Sequence, residues 1–106
     1  MIKTRRMLLS LLYLLGKKSR DVPIDVLLKA VEEFSRLYPE EFDRSVLEAL
    51  NDLRREGLID LDLPYVKVTD EAFMKGLEVY SKVLEEDSER ASALLLAAKS
   101  AQKRKG

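Results

Sequence analysis

Two acidic clusters come nearest to catalytic or metal-binding chemistry in this chain. Glu40-Glu41-Asp43 and Glu85-Glu86-Asp87-Glu89 carry the oxygen ligands that Mg²⁺ or Ca²⁺ takes. Neither has the spacing of a calcium-binding loop or a converging second group, so both read as solvated helix ends. The chain has no Cys and no His. That excludes thiolate and imidazole metal sites, a Cys nucleophile, disulfides and a Ser–His relay. The four glycines lie far apart, so no loop cradles a phosphate. Paired carboxylates for acid–base work need a pocket, and 106 residues leave little room for one. No enzyme, metal or cofactor is predicted.

Charge offers more. Residues 1–20 hold six basic groups (Lys3, Arg5, Arg6, Lys17, Lys18, Arg20) and no acid. Residues 21–98 hold all 19 acids against nine bases, and residues 99–106 add four bases. The formal net charge is zero, but basic ends flank an acidic middle. Such ends attract phosphate, and they are also what solvated termini look like. Hydrophobic residues make up 46%, enough for one folded core. Asn51 and Gln102 are the only side-chain amides, while 36% of residues are charged. Few amides and abundant Lys, Arg and Glu is the composition of a heat-adapted protein, and archaeal origin follows naturally from it.

The elements that must position these groups follow from periodicity. Lys3 to Arg6 followed by Met7 to Leu15 has the outline of a signal peptide, but no small-residue cleavage site follows. The apolar run is also too short to span a membrane. It reads instead as a buried first helix, residues 4–15, of a cytoplasmic protein. Met7, Leu8, Leu11, Leu12 and Leu15 share one face, and Leu9 and Tyr13 another. A helix apolar on two faces is sandwiched or meets a partner. Gly16 should end it as a C′ residue.

A second helix is predicted over 23–38, with Pro23 in its first turn and Pro39 forcing its stop. A third is predicted over 44–56, capped by Asp43 and ended by Gly57, with Phe42 and Leu47 spaced as a hydrophobic staple. The period then changes from 3.6 to 2. Leu58 to Leu63 alternates apolar and acidic, and Tyr65 to Thr69 is β-branched and aromatic. Residues 58–69 therefore read as a two-strand hairpin. Thr69 caps a last helix from Asp70.

In that last helix Phe73, Leu77, Tyr80, Leu84, Asp87, Ala91, Leu94, Ala98 and Ala101 follow alternating four- and three-residue steps. This is a heptad seam interrupted at Asp87. It predicts one continuous helix over 70–106, ending in a basic tail. It also predicts a homodimer with Phe73, Leu77, Tyr80, Leu84 and Leu94 in its interface. Two helices broken near Glu86 to Ser88 are the alternative.

Three helices followed by a small hairpin is a winged-helix arrangement, a variant of the helix-turn-helix. The stretch Ser45-Val46-Leu47-Glu48-Ala49-Leu50-Asn51-Asp52-Leu53-Arg54-Arg55-Glu56-Gly57-Leu58-Ile59 resembles the third helix and first wing strand of PadR-like and MarR-like regulators. Val66-Lys67-Val68-Thr69-Asp70-Glu71 resembles their second wing strand entering the last helix. The Gly common there near the position of Ala72 is absent. The resemblance covers residues 4 to about 85. It implies a mainly α fold with a two-strand hairpin: a winged helix-turn-helix in residues 1–69, and a dimerisation or docking helix in 70–106.

The resemblance also implies double-stranded DNA as partner, and a dimeric transcription regulator as function. Base contacts would come from Arg44, Ser45, Glu48 and Asn51, with Arg44 reading guanine, Asn51 adenine and Glu48 cytosine. Backbone contacts would come from Arg5, Arg6, Lys17, Lys18 and Lys67. Against this, Asp43, Glu48 and Asp52 place carboxylates on the reading helix, and Asp60 and Asp62 make the wing acidic. The alternative is a non-catalytic interaction subunit of a replication, transcription or ribosome-type assembly. That subunit would use Leu47, Leu61 and Leu63 on the acidic third-helix and wing face.

Overall fold

The computed structural model describes residues 3–103. The chain is mainly helical with a small antiparallel sheet. In order, its elements are α1 (Lys3–Leu15), β1 (Asp21–Pro23), α2 (Ile24–Leu37), a 3-10 turn (Pro39–Glu41), α3 (Val46–Arg55), β2 (Ile59–Asp62), β3 (Tyr65–Val68), α4 (Asp70–Glu86) and α5 (Ser88–Lys103). Residues 104–106, the end of the predicted basic tail, lie outside the described residues. No described helix is long and apolar enough to cross a membrane.

The two-faced apolar pattern of α1 is resolved by sandwiching. Met7, Leu8, Leu11 and Leu12 are almost fully buried, and so is Leu9 on the other face. Helix α1 touches all four other helices and is the axis of the core. Its C-terminal end is covered by Arg20, whose guanidinium donates to the Gly16 carbonyl at 2.8 Å and lies 3.7 Å over the Phe73 ring. Gly16 does not take the left-handed conformation expected of a C′ residue. Among the described residues Gly57 alone has a positive φ, +79°. There the Leu58 N–H donates to Leu53 and the Gly57 N–H to Arg54, which satisfies the last carbonyls of α3.

The sheet has three strands, not two, in the order β1-β3-β2. Asp21 pairs with Lys67 and Pro23 with Tyr65 across β1 and β3, while Ile59 pairs with Val68 and Asp62 with Tyr65 across β2 and β3. Strand β1 escapes periodicity because it is three residues long and holds an Asp and a Pro. Only pairing with β3, and burial of Val22, make it a strand. Leu63 and the cis-linked Pro64 form the tight turn between β2 and β3.

The predicted continuous C-terminal helix is two helices. Helix α4 stops at Glu86, Asp87 leaves the helical backbone conformation, and its carboxylate accepts from the Arg90 N–H at 3.1 Å to start α5. The chain then folds back, with α4 on α1 and α5 on both α2 and α1. This changes the fate of the heptad seam. Phe73 and Tyr80 pack at a tilt against Tyr13 of the same chain, at 5.0 and 5.9 Å between ring centres, and Leu94 is fully buried. Burial, then the adjacent Tyr13, push the Tyr80 phenol above its ordinary pKa. Leu77 is half-buried and Leu84 is exposed. Leu94 is therefore core rather than surface, while Phe73 and Tyr80 pack one side against α1 and stay half-buried. One cluster of buried side chains runs from Met7 to Ala101, so residues 70–103 share the core of the first 69.

Gly76 explains how closely α4 approaches. A Cβ there would lie 2.3 Å from the Leu9 carbonyl oxygen and 2.7 Å from the Tyr13 Cβ. A second clamp joins the 3-10 turn to α5. The buried Glu41 carboxylate pairs with the Arg90 guanidinium, which also lies 4.8 Å over the Tyr38 ring. The two acidic clusters are thus not simply solvated. Glu41 holds α5 and Asp87 caps it, and no described group of carboxylates is arranged to hold a metal.

Candidate functional site

Helix α3 and the hairpin carry most of the residues singled out by sequence. Ala49, Leu50 and Leu53 turn inward, which leaves Arg44, Leu47, Glu48, Asn51, Asp52 and Arg55 outside or at the edge. The helix starts at Val46, later than the expected residue 44. Ser45, not Asp43, is its N-cap, and the Ser45 hydroxyl accepts from the Glu48 N–H at 3.3 Å. Ser45 is therefore a cap before it is a base reader. Asp43 turns to α1 and accepts from the Thr4 N–H at 3.3 Å and the Thr4 hydroxyl at 3.0 Å. The expected staple is also absent. Phe42 packs edge-on to Phe34 at 6.0 Å, and Leu47 stands 65% exposed.

The polar groups of α3 are engaged with one another. Arg44 reaches Asp52 at 2.9 Å and Glu48 at 3.5 Å. Asp52 also pairs with Arg55. The Asn51 side-chain carbonyl accepts from Arg54 at 3.0 Å. The hydrogen bond from Arg55 does most to lower the pKa of Asp52; loss of solvent opposes it, and the Arg44 charge adds to the lowering. At Asp43 loss of solvent raises the pKa, and the bonds donated by Thr4 and the Lys3 N–H lower it by more.

The proposed backbone contacts divide into two groups. Arg5 pairs with Glu56 at 2.8 Å, Arg6 with Glu86 at 3.7 Å and Lys67 with Asp62 at 3.5 Å. Lys67 also has Asp21 and Asp60 as its cross-strand neighbours, so the one basic side chain of the hairpin stands among acidic positions. Lys17 and Lys18 have no carboxylate partner among the described residues; Lys17 sits 5.0 Å over the Tyr13 ring. They follow the far end of α1, whereas α3 meets its beginning at Thr4 and Arg5. The length of α1 puts about 18 Å between the two places. The structure thus brings Arg5, Arg44, Asp52 and Glu56 around one small cleft of about 250 Å³ and leaves Lys17 and Lys18 elsewhere.

Across residues 21–25, 43–56 and 59–68 there are eight carboxylates and four basic groups. Part of the pairing was foreshadowed by spacing. Asp52–Arg55 are i,i+3 neighbours within α3, a separation at which helix side chains meet, and Arg44 stands four positions before Glu48. Comparison of the chain with family models, curated proteins and solved structures found no match.

Proposed function

We propose that this chain is a winged-helix module that uses its α3 and hairpin face to bind a protein partner, as a non-catalytic subunit of a larger assembly. The order α1-β1-α2-α3-β2-β3, with sheet order β1-β3-β2, supports the winged-helix reading. A fold does not carry a function, so the surface has to decide. The observation that carries the choice is Arg44, which lies between Glu48 and Asp52 rather than free. Exposed ion pairs are worth only about 0–1 kcal/mol, so Arg44 could be released. The carboxylates would remain, facing phosphates that need cations. Exposed Leu47 and an acidic surround suit a partner with basic rim residues and an apolar socket.

A second reading, a DNA-binding regulator, is supported by the topology itself, which leaves the outer side of α3 uncovered. Duplex-DNA titration at about 50 and about 200 mM salt separates the two. In the protein-binding reading the native chain binds DNA weakly, loses it at the higher salt, and is unaffected by Arg44→Ala. Partner capture is then lost with Leu47→Asp while the fold is retained. Sequence-selective DNA binding that Arg44→Ala weakens at one base position overturns this reading.

A further inference from the structure

Two of the most exposed large apolar side chains border the same groove. Leu37 at the end of α2 is 69% exposed, and Leu96 midway along α5 is 66% exposed. Together with Tyr38, Ala93, Ala97 and Ser100 they line a groove of about 510 Å³ between α2 and α5. A neighbouring depression shares Leu96 and Ser100 and adds Lys99 and Lys103. One continuous face therefore runs along α5 from Glu89 to Lys103, well away from α3.

The order of side chains on this face is specific. Glu89, Ser92, Leu96, Lys99 and Lys103 follow steps of three and four, which places them on one stripe of the helix. The buried stripe of α5 is a different one, made of Ala91, Leu94, Ala98 and Ala101. Leu96 is the centre of the exposed stripe. Seven residues separate it from Glu89 on one side and from Lys103 on the other, about 10.5 Å each way. Glu33 and Glu89 border the groove, the lysines border the depression, and none of Glu33, Glu89, Lys99 or Lys103 has an ion-pair partner among the described residues.

We propose that this face docks a second copy of the chain, with α5 antiparallel to the partner's α5 about a two-fold axis at Leu96. Such an axis makes the contact self-complementary. It sets the two Leu96 side chains against each other and their grooves. It also brings Glu89 of each copy opposite Lys103 of the other. A parallel arrangement would oppose like charges at both ends, so the charge order selects the antiparallel one. Small side chains at 92, 93, 97 and 100 let the helices come close. This dimer uses a different face from the one expected from the heptad seam, of which Leu94 is fully buried inside the chain.

The test is sedimentation equilibrium of the full chain between about 1 and about 100 µM. The variants are L96D, E89K, K103E and the double reversal E89K/K103E. Their sites are exposed, and circular dichroism and Tm check that each folds. The native chain should dimerise in this range. L96D should weaken dimerisation by more than about 10-fold. Each single reversal repeats twice by symmetry and should weaken it about 10-fold, and the double reversal should restore it to within about 3-fold of native. A native chain still monomeric at the highest concentration overturns the proposal. So does a dimer indifferent to L96D, or a double reversal no better than the singles. Leu47→Asp should leave dimerisation unchanged, which keeps this outcome separate from the fate of the α3 reading.

Discussion

Asp43 and Thr4 are 39 residues apart in the chain, yet the Asp43 carboxylate accepts both the N–H and the hydroxyl of Thr4. The Arg44 N–H in turn donates to the Thr4 hydroxyl at 3.1 Å. Asp43, in the segment that leads into α3, therefore caps α1 and ties the beginning of the core helix to the approach of the exposed one.

Replacing each cap should affect a different helix. Ser45→Ala should cost about 1 kcal/mol and fray the first turn of α3. Asp43→Ala should lower Tm and speed hydrogen exchange at Thr4 and the following amides of α1, with α3 amides little changed. Exchange measured by NMR on both variants checks this. If Asp43→Ala frays α3 instead, the cap assignment is wrong.

Gly76→Ala should destabilise the protein although Ala is the better helix former by about 1 kcal/mol. The added methyl meets the Leu9 backbone and the Tyr13 Cβ, neither of which can swing away. Overpacking of this kind costs about 1–3 kcal/mol. Denaturant unfolding should show a lower midpoint at unchanged slope. A stabilised variant would mean that α1 and α4 do not approach this closely.

Asp43 and Asp52 predict the direction of acid sensitivity. Both have pKa values lower in the folded protein than the ordinary value of about 3.9. A lowered folded pKa adds stability that is present above the unfolded pKa and is lost as pH falls through the folded one. Stability should therefore decline as pH falls below about 4. Asp43→Asn and Asp52→Asn should each flatten that decline. Thermal melts across this range test it, and an unaltered slope in both variants would remove these two carboxylates as its cause.

Much of the fold was legible because it is local. The two-sided apolar pattern of α1, the Gly57 stop, the Thr69 cap and the change of period at Leu58 each depend on residues within a few positions of one another. The pairing of Arg44 with Glu48 and Asp52 was not legible in this way, because Arg44 precedes the Ser45 cap and the fold has to turn its side chain back along α3. Sequence by itself determined the order of most helices, the hairpin, and which side of α3 stays exposed. Tertiary structure decided the rest. Whether Asp43 caps α3 or α1 depends on which N–H groups the fold brings to it. Whether Leu94 lines a dimer or the core depends on the chain turning back at Asp87. Asp21 to Pro23 become a strand only beside β3. In each case the local pattern is the same for either outcome. The choice falls to the arrangement that buries more apolar surface and leaves fewer backbone groups unpaired, and that can be counted only across the whole chain.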